Sequence, residues 1–438
     1  MDEIKGRFSG LFFHWGRIAE INGIIFPFVR KRFVRLMYIQ QGSRDFWRAS
    51  MALFAGGFSN FALLYCMQPL MPELTRTFQA APAAASLSVS AATVSMAVAM
   101  LFVGALSDNW GRKTFMALTL LAASVLCVLI AFSPSFSFLL AARVAQGMML
   151  AVLPAIAMTY LAEEFERASL GYAMGLYISG TTIGGMAGRI VVGFLTDWFD
   201  WRVAVAALGF LNVAAAVAFW LMLPASRHFV RRPLEVGNVL PPLLSQCRDR
   251  RLLSLYALGF LLMGGFVTLF NYIGYELTAP PYNLSQSMLG ILYLVYLTGT
   301  FSSAWMGRLS DRMGRSGVFA VSLAVTAGGT LLTLSGGLWL KITGLALFAF
   351  GFFGGHSIAS SWVGLIASPQ ARAQASALYL FFYYVGSSVS GTGGGFLYSA
   401  FGWAGIIAMI ACYLVIAAGL CAVLYRSRDG EGRATEKI

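Results

Sequence analysis

The stretch Gly104-Ala105-Leu106-Ser107-Asp108-Asn109-Trp110-Gly111-Arg112-Lys113 lies between two long apolar runs. A close copy, Gly307-Arg308-Leu309-Ser310-Asp311-Arg312-Met313-Gly314-Arg315, follows about two hundred residues later. Glycine, carboxylate, glycine and base recur at the same offsets. Two short polar loops of one design, each joining a pair of apolar segments, indicate that a membrane-embedded half has been duplicated. A second echo agrees with the first: Gly180-Thr-Thr-Ile-Gly-Gly185 and Gly193-Phe-Leu lead to Trp201, as Gly386-Ser-Ser-Val-Ser-Gly391 and Gly395-Phe-Leu lead to Trp403.

Working outward from the loops, the chain of 438 residues is 58% hydrophobic and only 11% charged, with its apolar residues in uninterrupted runs. That composition belongs to an all-α polytopic membrane protein. A crossing needs about 20 apolar residues, and twelve runs satisfy this: 49–72, 84–106, 114–133, 137–161, 171–196, 203–224, 252–274, 287–306, 316–335, 339–364, 376–398 and 405–425. Lipid offers the backbone no hydrogen bonds and the runs lack the alternation of barrel strands, so they are read as helices. The expected organisation is a basic tail over 1–47, six-helix bundles over 48–224 and 252–425, a linker over 225–251 and a tail over 426–438.

The net charge of +13 is topological rather than a nucleic-acid footprint. Nearly all of the 31 Lys and Arg fall in segments on one side of the expected membrane. The exceptions are Arg76, Arg202 and Lys341 on the other side and Arg143 and Arg189 inside spans. Under the positive-inside rule both termini are cytoplasmic. Residues 1–47, with Arg30-Lys31-Arg32, are expected to lie at the membrane surface or to stay outside the bundle. The five cysteines stand singly: Cys66, Cys127, Cys412 and Cys421 read as apolar fillers and Cys247 as a loop thiol. No phosphate-cradling loop, zinc-type histidine pair or serine elbow appears, so neither an enzyme, a metal site nor a cofactor is expected.

These motifs make the chain resemble the major facilitator superfamily of transporters. The family's pattern between spans two and three is matched by Gly104, Asp108, Gly111, Arg112 and Lys113, with Asn109 in place of the usual arginine. Its second copy is matched by Gly307, Asp311, Arg312, Gly314 and Arg315, with Ser316 replacing the last base. The span-four pattern is met by Arg143, Gln146 and Gly147. The span-five antiporter pattern is met by Gly175, Gly180, Gly184 and Gly185, with Thr181 replacing its proline. The resemblance covers about 49–425 and is greatest to twelve-span drug:proton antiporters and arabinose-efflux-like inner-membrane proteins. It implies two pseudo-symmetric six-helix halves, alternating access, and a monomer in the bacterial inner membrane. It further implies a small organic substrate with the proton as coupling ion.

Elementary energetics selects the remaining candidates. An ionised side chain within a bilayer costs about 2.5–3.5 kcal/mol on insertion scales, so Arg143 and Arg189 require a reason. Arg143 shares a face with Gln146 and is read as the charge of the central pathway. Arg189, about two turns from Asp197, is read as snorkelling outward. No Asp or Glu falls in the middle of a span, which leaves His356, the one histidine inside a span, as the candidate proton site. Asn60, Gln68, Phe266, Phe270, Asn271, Tyr293, Tyr379 and Tyr383 are candidates for a cavity lined by aromatic rings and scattered hydrogen-bonding groups. Asp108 is expected to latch the cytoplasmic side by pairing with Arg112 or by accepting from a helix N-terminus. Efflux by proton antiport is favoured by the span-five pattern. Uptake by symport and a non-transporting sensor are the competing readings.

Overall fold

The computed structural model describes residues 38–229, 240–368 and 371–435; within these, the side chains of Ala105, Asp108, Leu240, Pro242 and 426–435 lie outside the description. Among the described residues the extended elements are helices, and β structure is confined to one isolated bridge between Ile39 and Phe165. Spans one to six are Arg44–Tyr65, Pro82–Trp110, Arg112–Ala131, Phe136–Glu164, Arg167–Trp198 and Trp201–Met222. Spans seven to ten are Arg250–Thr278, Gln286–Met313, Arg315–Leu332 and Leu338–Ile366. Spans eleven and twelve form one run, Arg372–Thr435, folded back at Gly402. The twelve expected spans are present.

Local chemistry sets the helix starts. Ser43, Ser135, Asp200, Asp249 and Ser285 each accept a hydrogen bond from a first-turn backbone N–H. The repeated loop is tighter than a loop. Gly111 at φ +87° ends span two and begins span three, and Gly314 at φ +92° does the same for spans eight and nine. Only glycine takes that backbone conformation without strain, which explains the residue at both positions.

Three boundaries differ from expectation. Span one stops at Tyr65, and Met71–Phe78, with Pro72 in its first turn, forms a separate short helix after Pro69. Span eight carries a 3-10 turn, Tyr293–Val295, between Gln286–Leu292 and Tyr296–Met313. The expected N-terminal tail is shorter than 1–47. Ile39 N donates to Glu164 O at 2.8 Å, Tyr38 stacks on His228 at 4.4 Å, and span one begins at Arg44. Residues 1–37 and the linker centre, 230–239, fall outside the described residues. On the linker's near side, the backbone N–H groups of Arg227 and His228 donate to buried Glu164 Oε1 at 2.8 and 2.9 Å.

Packing follows the duplication. Span one lies against span five and span seven against span eleven; between the halves, two meets eleven and five meets eight. Exchanging the halves maps each pair onto the other, which is a pseudo-two-fold arrangement. Equivalent glycines make the close contacts possible: a Cβ on Gly180 would enter the Phe54 carbonyl, and one on Gly386 would enter that of Phe260. Small residues let helix backbones approach where lipid supplies no hydrophobic drive. Hydrogen bonds observed between the halves run from mid-bundle, where Thr93 and Ser388 hydroxyls lie at 2.7 Å, to the end remote from the termini. There Asp197 accepts from the backbone N–H groups of Gln286 and Ser287 at 2.9 and 2.7 Å, and the hydroxyls of Thr75 and Tyr275 lie at 2.7 Å.

Candidate functional site

Among the described residues, Arg143, Arg189 and His356 form polar centres within the helical bundle, and their partners differ. Arg143 is wholly buried. Its Nε donates to Ser88 O at 2.6 Å, Nη1 to Leu63 O at 3.0 Å and to Gln146 Oε1 at 2.5 Å, and Nη2 to Leu64 O at 2.6 Å. Gln146 Nε2 in turn donates to Ala123 O at 2.9 Å. Leu63 and Leu64 lie in the last turn of span one, where the carbonyls have no helical partner and the helix dipole is negative. The guanidinium therefore ties spans one, two, three and four together inside the first half. Gly147 completes the joint, because a Cβ there would enter the Ala92 carbonyl of span two.

Arg189 occupies the interface between the halves and is 2% exposed. Its Nε donates to Gln68 Oε1 at 2.8 Å and its Nη1 donates to Gly185 O. The guanidinium carbon lies over the rings of Tyr65, Tyr293 and Tyr296 at 4.5, 4.8 and 5.1 Å. Gln68 Nε2 donates to Asn271 Oδ1 at 2.8 Å, so one side chain links the arginine to the opposite half. Desolvated cation–π contacts contribute about 2 kcal/mol or more at best, comparable with the insertion cost of the charge. The expectation that Arg189 snorkels toward Asp197 is not met, since Asp197 instead caps the start of span eight.

An aromatic wall continues from this cage. Tyr296 stands 5.2 Å from Phe266 and 4.8 Å from Phe270; Phe266 stacks on Phe352 at 4.0 Å, and Phe352 on His356 at 6.1 Å. His356 Nδ1 lies 2.9 Å from the Tyr379 hydroxyl, and its ring is 4.6 Å from that of Tyr383. The Asn60 amide of span one, the Tyr296 hydroxyl and Asn271 Nδ2 are buried without a protein hydrogen-bond partner among the described residues.

At the termini end, Arg112 forms a forked pair with Glu163, Nη2 to Oε1 at 2.9 Å and Nε to Oε2 at 3.2 Å, and also donates to Ser107 Oγ. Its guanidinium lies over Phe229 of the linker at 5.4 Å. In the second copy Arg315 pairs with exposed Asp311 at 2.9 Å. The Asp108 side chain lies outside the described residues. Lys113 is half-buried and Arg312 exposed; Gly104, like Gly175, has open space where a Cβ would stand.

The family model of the Major Facilitator Superfamily matches residues 53–282 and 274–437. The chain belongs to that superfamily. It is 49% identical over 402 residues to the uncharacterised MFS-type transporter YybF of Bacillus subtilis, covering 92% of this chain and 99% of that one. It is 46% identical over 380 residues to the inner membrane transport protein YnfM of Escherichia coli K12, covering 87% and 91%. Its fold matches a bacterial homolog of the human lysosomal transporter Spinster in an inward-facing, unoccupied conformation. The TM-score is 0.75 at 16% identity, with 88% of this chain and 98% of that one covered. It also matches the nucleoside transporter NupG, with a TM-score of 0.71 at 17% identity and coverage of 86% and 99%.

In this superfamily member, the sequence candidates divide between the centres. Gln68, Asn271 and Tyr293 gather at Arg189, Phe266 and Phe270 form the wall, and Tyr379 and Tyr383 surround His356. Arg143 joins Gln146 as expected, yet its partners all belong to the first half and none of its observed contacts reaches His356. The residue whose surroundings the sequence placed wrongly is Arg189, expected to snorkel outward and found between the halves. The duplication held the missing signal, because pairing span two with eleven implies pairing span eight with five, which sets Arg189 opposite Tyr293 and Tyr296.

Proposed function

We propose that this MFS transporter exports a small organic solute, drug-like or sugar-like, across the bacterial inner membrane by alternating access coupled to inward proton movement. The observation that carries this reading is the polar and aromatic site divided between two halves, with Arg189 and Gln68 on one and Asn271, Tyr293 and Tyr296 on the other. Rocking of the halves about such a site exposes it to either side in turn. His356, beside Tyr379 on the same wall, is the proposed proton carrier. The Gly180 and Gly184 face of span five supplies the sliding contact with span one that the antiporter pattern implies. The proposal includes cytoplasmic termini, a monomer, and two six-helix halves, expected at 48–224 and 252–425, whose first helices begin at Arg44 and Arg250. Asp108 is assigned to closure at the cytoplasmic face.

A screen comparing deletion with overexpression for drug susceptibility and metabolite accumulation identifies the responding solute. Everted vesicles with an internal pH dye then test coupling. Addition of that solute should dissipate an imposed pH gradient in wild-type vesicles. Higher intracellular levels on overexpression would instead favour the uptake reading.

A further inference from the structure

Arg189 stands in a surplus of hydrogen-bond donors. A guanidinium offers five N–H groups and no acceptor. The acceptors observed around it are Gln68 Oε1 and Gly185 O, with the Tyr293 hydroxyl within reach. Among the described residues no carboxylate pairs with it; Asp197 is engaged at span eight and Glu276 pairs with Lys341 at 3.0 Å. A further buried donor adjoins the site without a partner among the described residues, the Tyr296 hydroxyl (5% exposed), on a ring 5.1 Å from the guanidinium carbon. A packing arginine has its donors consumed, as those of Arg143 are by backbone carbonyls. Arg189 is covered instead by aromatic faces, two of which belong to the other half and leave when the halves part.

We propose that Arg189, with the Tyr296 hydroxyl, forms the receptor for an anionic group, a carboxylate or phosphate monoester, on the transported solute. Separation of the halves withdraws Tyr293 and Tyr296 from one side of the guanidinium and admits the anion, and closure brings the Tyr296 hydroxyl back onto the bound anion. A planar fork of donors suits both ligand groups. The apolar body of the solute then lies along Phe266, Phe352 and His356, which continue from Tyr296. This inference rests on the transport reading and narrows its substrate class to organic anions.

The test is thermal unfolding of the purified full-length protein with matched pairs: benzoate with benzamide, glucuronate with glucose, and glucose 6-phosphate with glucose. At least one anion should raise the midpoint where its neutral partner does not, and the carboxylate and phosphate arms identify the group. Arg189→Gln should abolish the shift, and Arg189→Lys should keep part of it. Tyr296→Phe, which preserves the ring and the fold, should weaken binding about tenfold. Equal shifts within every pair, no shift with any anion, or a shift that survives in Arg189→Gln overturns the assignment. Vesicle transport separates this failure from that of the function: export of a neutral solute defeats the anion site alone, whereas anion binding without any transport defeats only the transport reading.

Discussion

Gln68 Nε2 donates to Asn271 Oδ1 at 2.8 Å across the interface between the two halves, and both side chains are buried. Because Gln68 Oε1 also accepts from Arg189, this hydrogen bond connects the buried charge to the closure of the end remote from the termini. Opening there must break it.

Gln68→Glu places a carboxylate beside Arg189 in place of the donor to Asn271 Oδ1, and rotation of the Asn271 amide, whose Nδ2 has no other partner among the described residues, turns a donor toward it. The closed arrangement should gain stability, and each 1.4 kcal/mol gained lowers the open population about tenfold. Slower turnover with a raised unfolding midpoint is expected from vesicle transport and thermal scans. Turnover at the wild-type rate would show that this bond is not broken in the cycle.

Arg143→Gln removes the guanidinium donor from two buried backbone carbonyls of span one, Leu64 O and Leu63 O, and leaves the latter only the Cys66 thiol. At about 1–3 kcal/mol for each unsatisfied group, folding should suffer before transport chemistry does. The expected outcome is a lower unfolding midpoint and reduced membrane yield, with Arg143→Lys intermediate because it restores charge without the fork. An unchanged midpoint with abolished proton exchange would return Arg143 to a coupling role.

The two loop copies should differ in their response. The Arg112 side chain is buried and forked onto Glu163, so Glu163→Gln is expected to slow transport markedly. Asp311 is exposed and its pair with Arg315 bridges the Gly314 turn between two helices, a surface contact of about 0.2–1 kcal/mol, so Asp311→Asn should change rates less than about threefold. Parallel initial-rate measurements at matched expression decide the comparison.

Gly180→Ala drives a methyl group into the Phe54 carbonyl, whereas Gly175→Ala meets open space. Overpacking of this kind costs about 1–3 kcal/mol. The first variant should unfold at lower temperature and transport poorly; the second should match the parent in both assays.

His356→Asn should uncouple exchange from the proton gradient while leaving solute counterflow measurable at equal pH on both sides. Tyr379→Phe, which removes the hydroxyl 2.9 Å from His356 Nδ1, should shift the pH profile of transport without abolishing it. Gradient-driven accumulation that persists in His356→Asn would assign the proton to another group.

Much of the fold was legible in the order of residues because lipid permits few alternatives. A long apolar run whose backbone must satisfy itself becomes a helix, and twelve such runs define the spans. The repeated glycine of the loops, Gly111 and Gly314, records a local backbone requirement, so it too can be read without neighbours. The break after Tyr65 was less legible, since Pro69 reveals a helix end only when the exact turn is known.

What the sequence determined by itself was the helical class, the duplication and the identity of the charged residues that the membrane must accommodate. Which partners each charge meets was decided only by tertiary structure. Arg143 and Arg189 are the same residue in similarly apolar spans, and the spacings to Gln146 and Asp197 do not reveal which helices surround each. Arg143 meets the carbonyl end of span one, while Arg189 meets Tyr293 and Tyr296 of the other half, about a hundred residues away. A guanidinium's partners are set by which helices pack beside it, and that pairing arises from close glycine contacts between segments far apart in the chain.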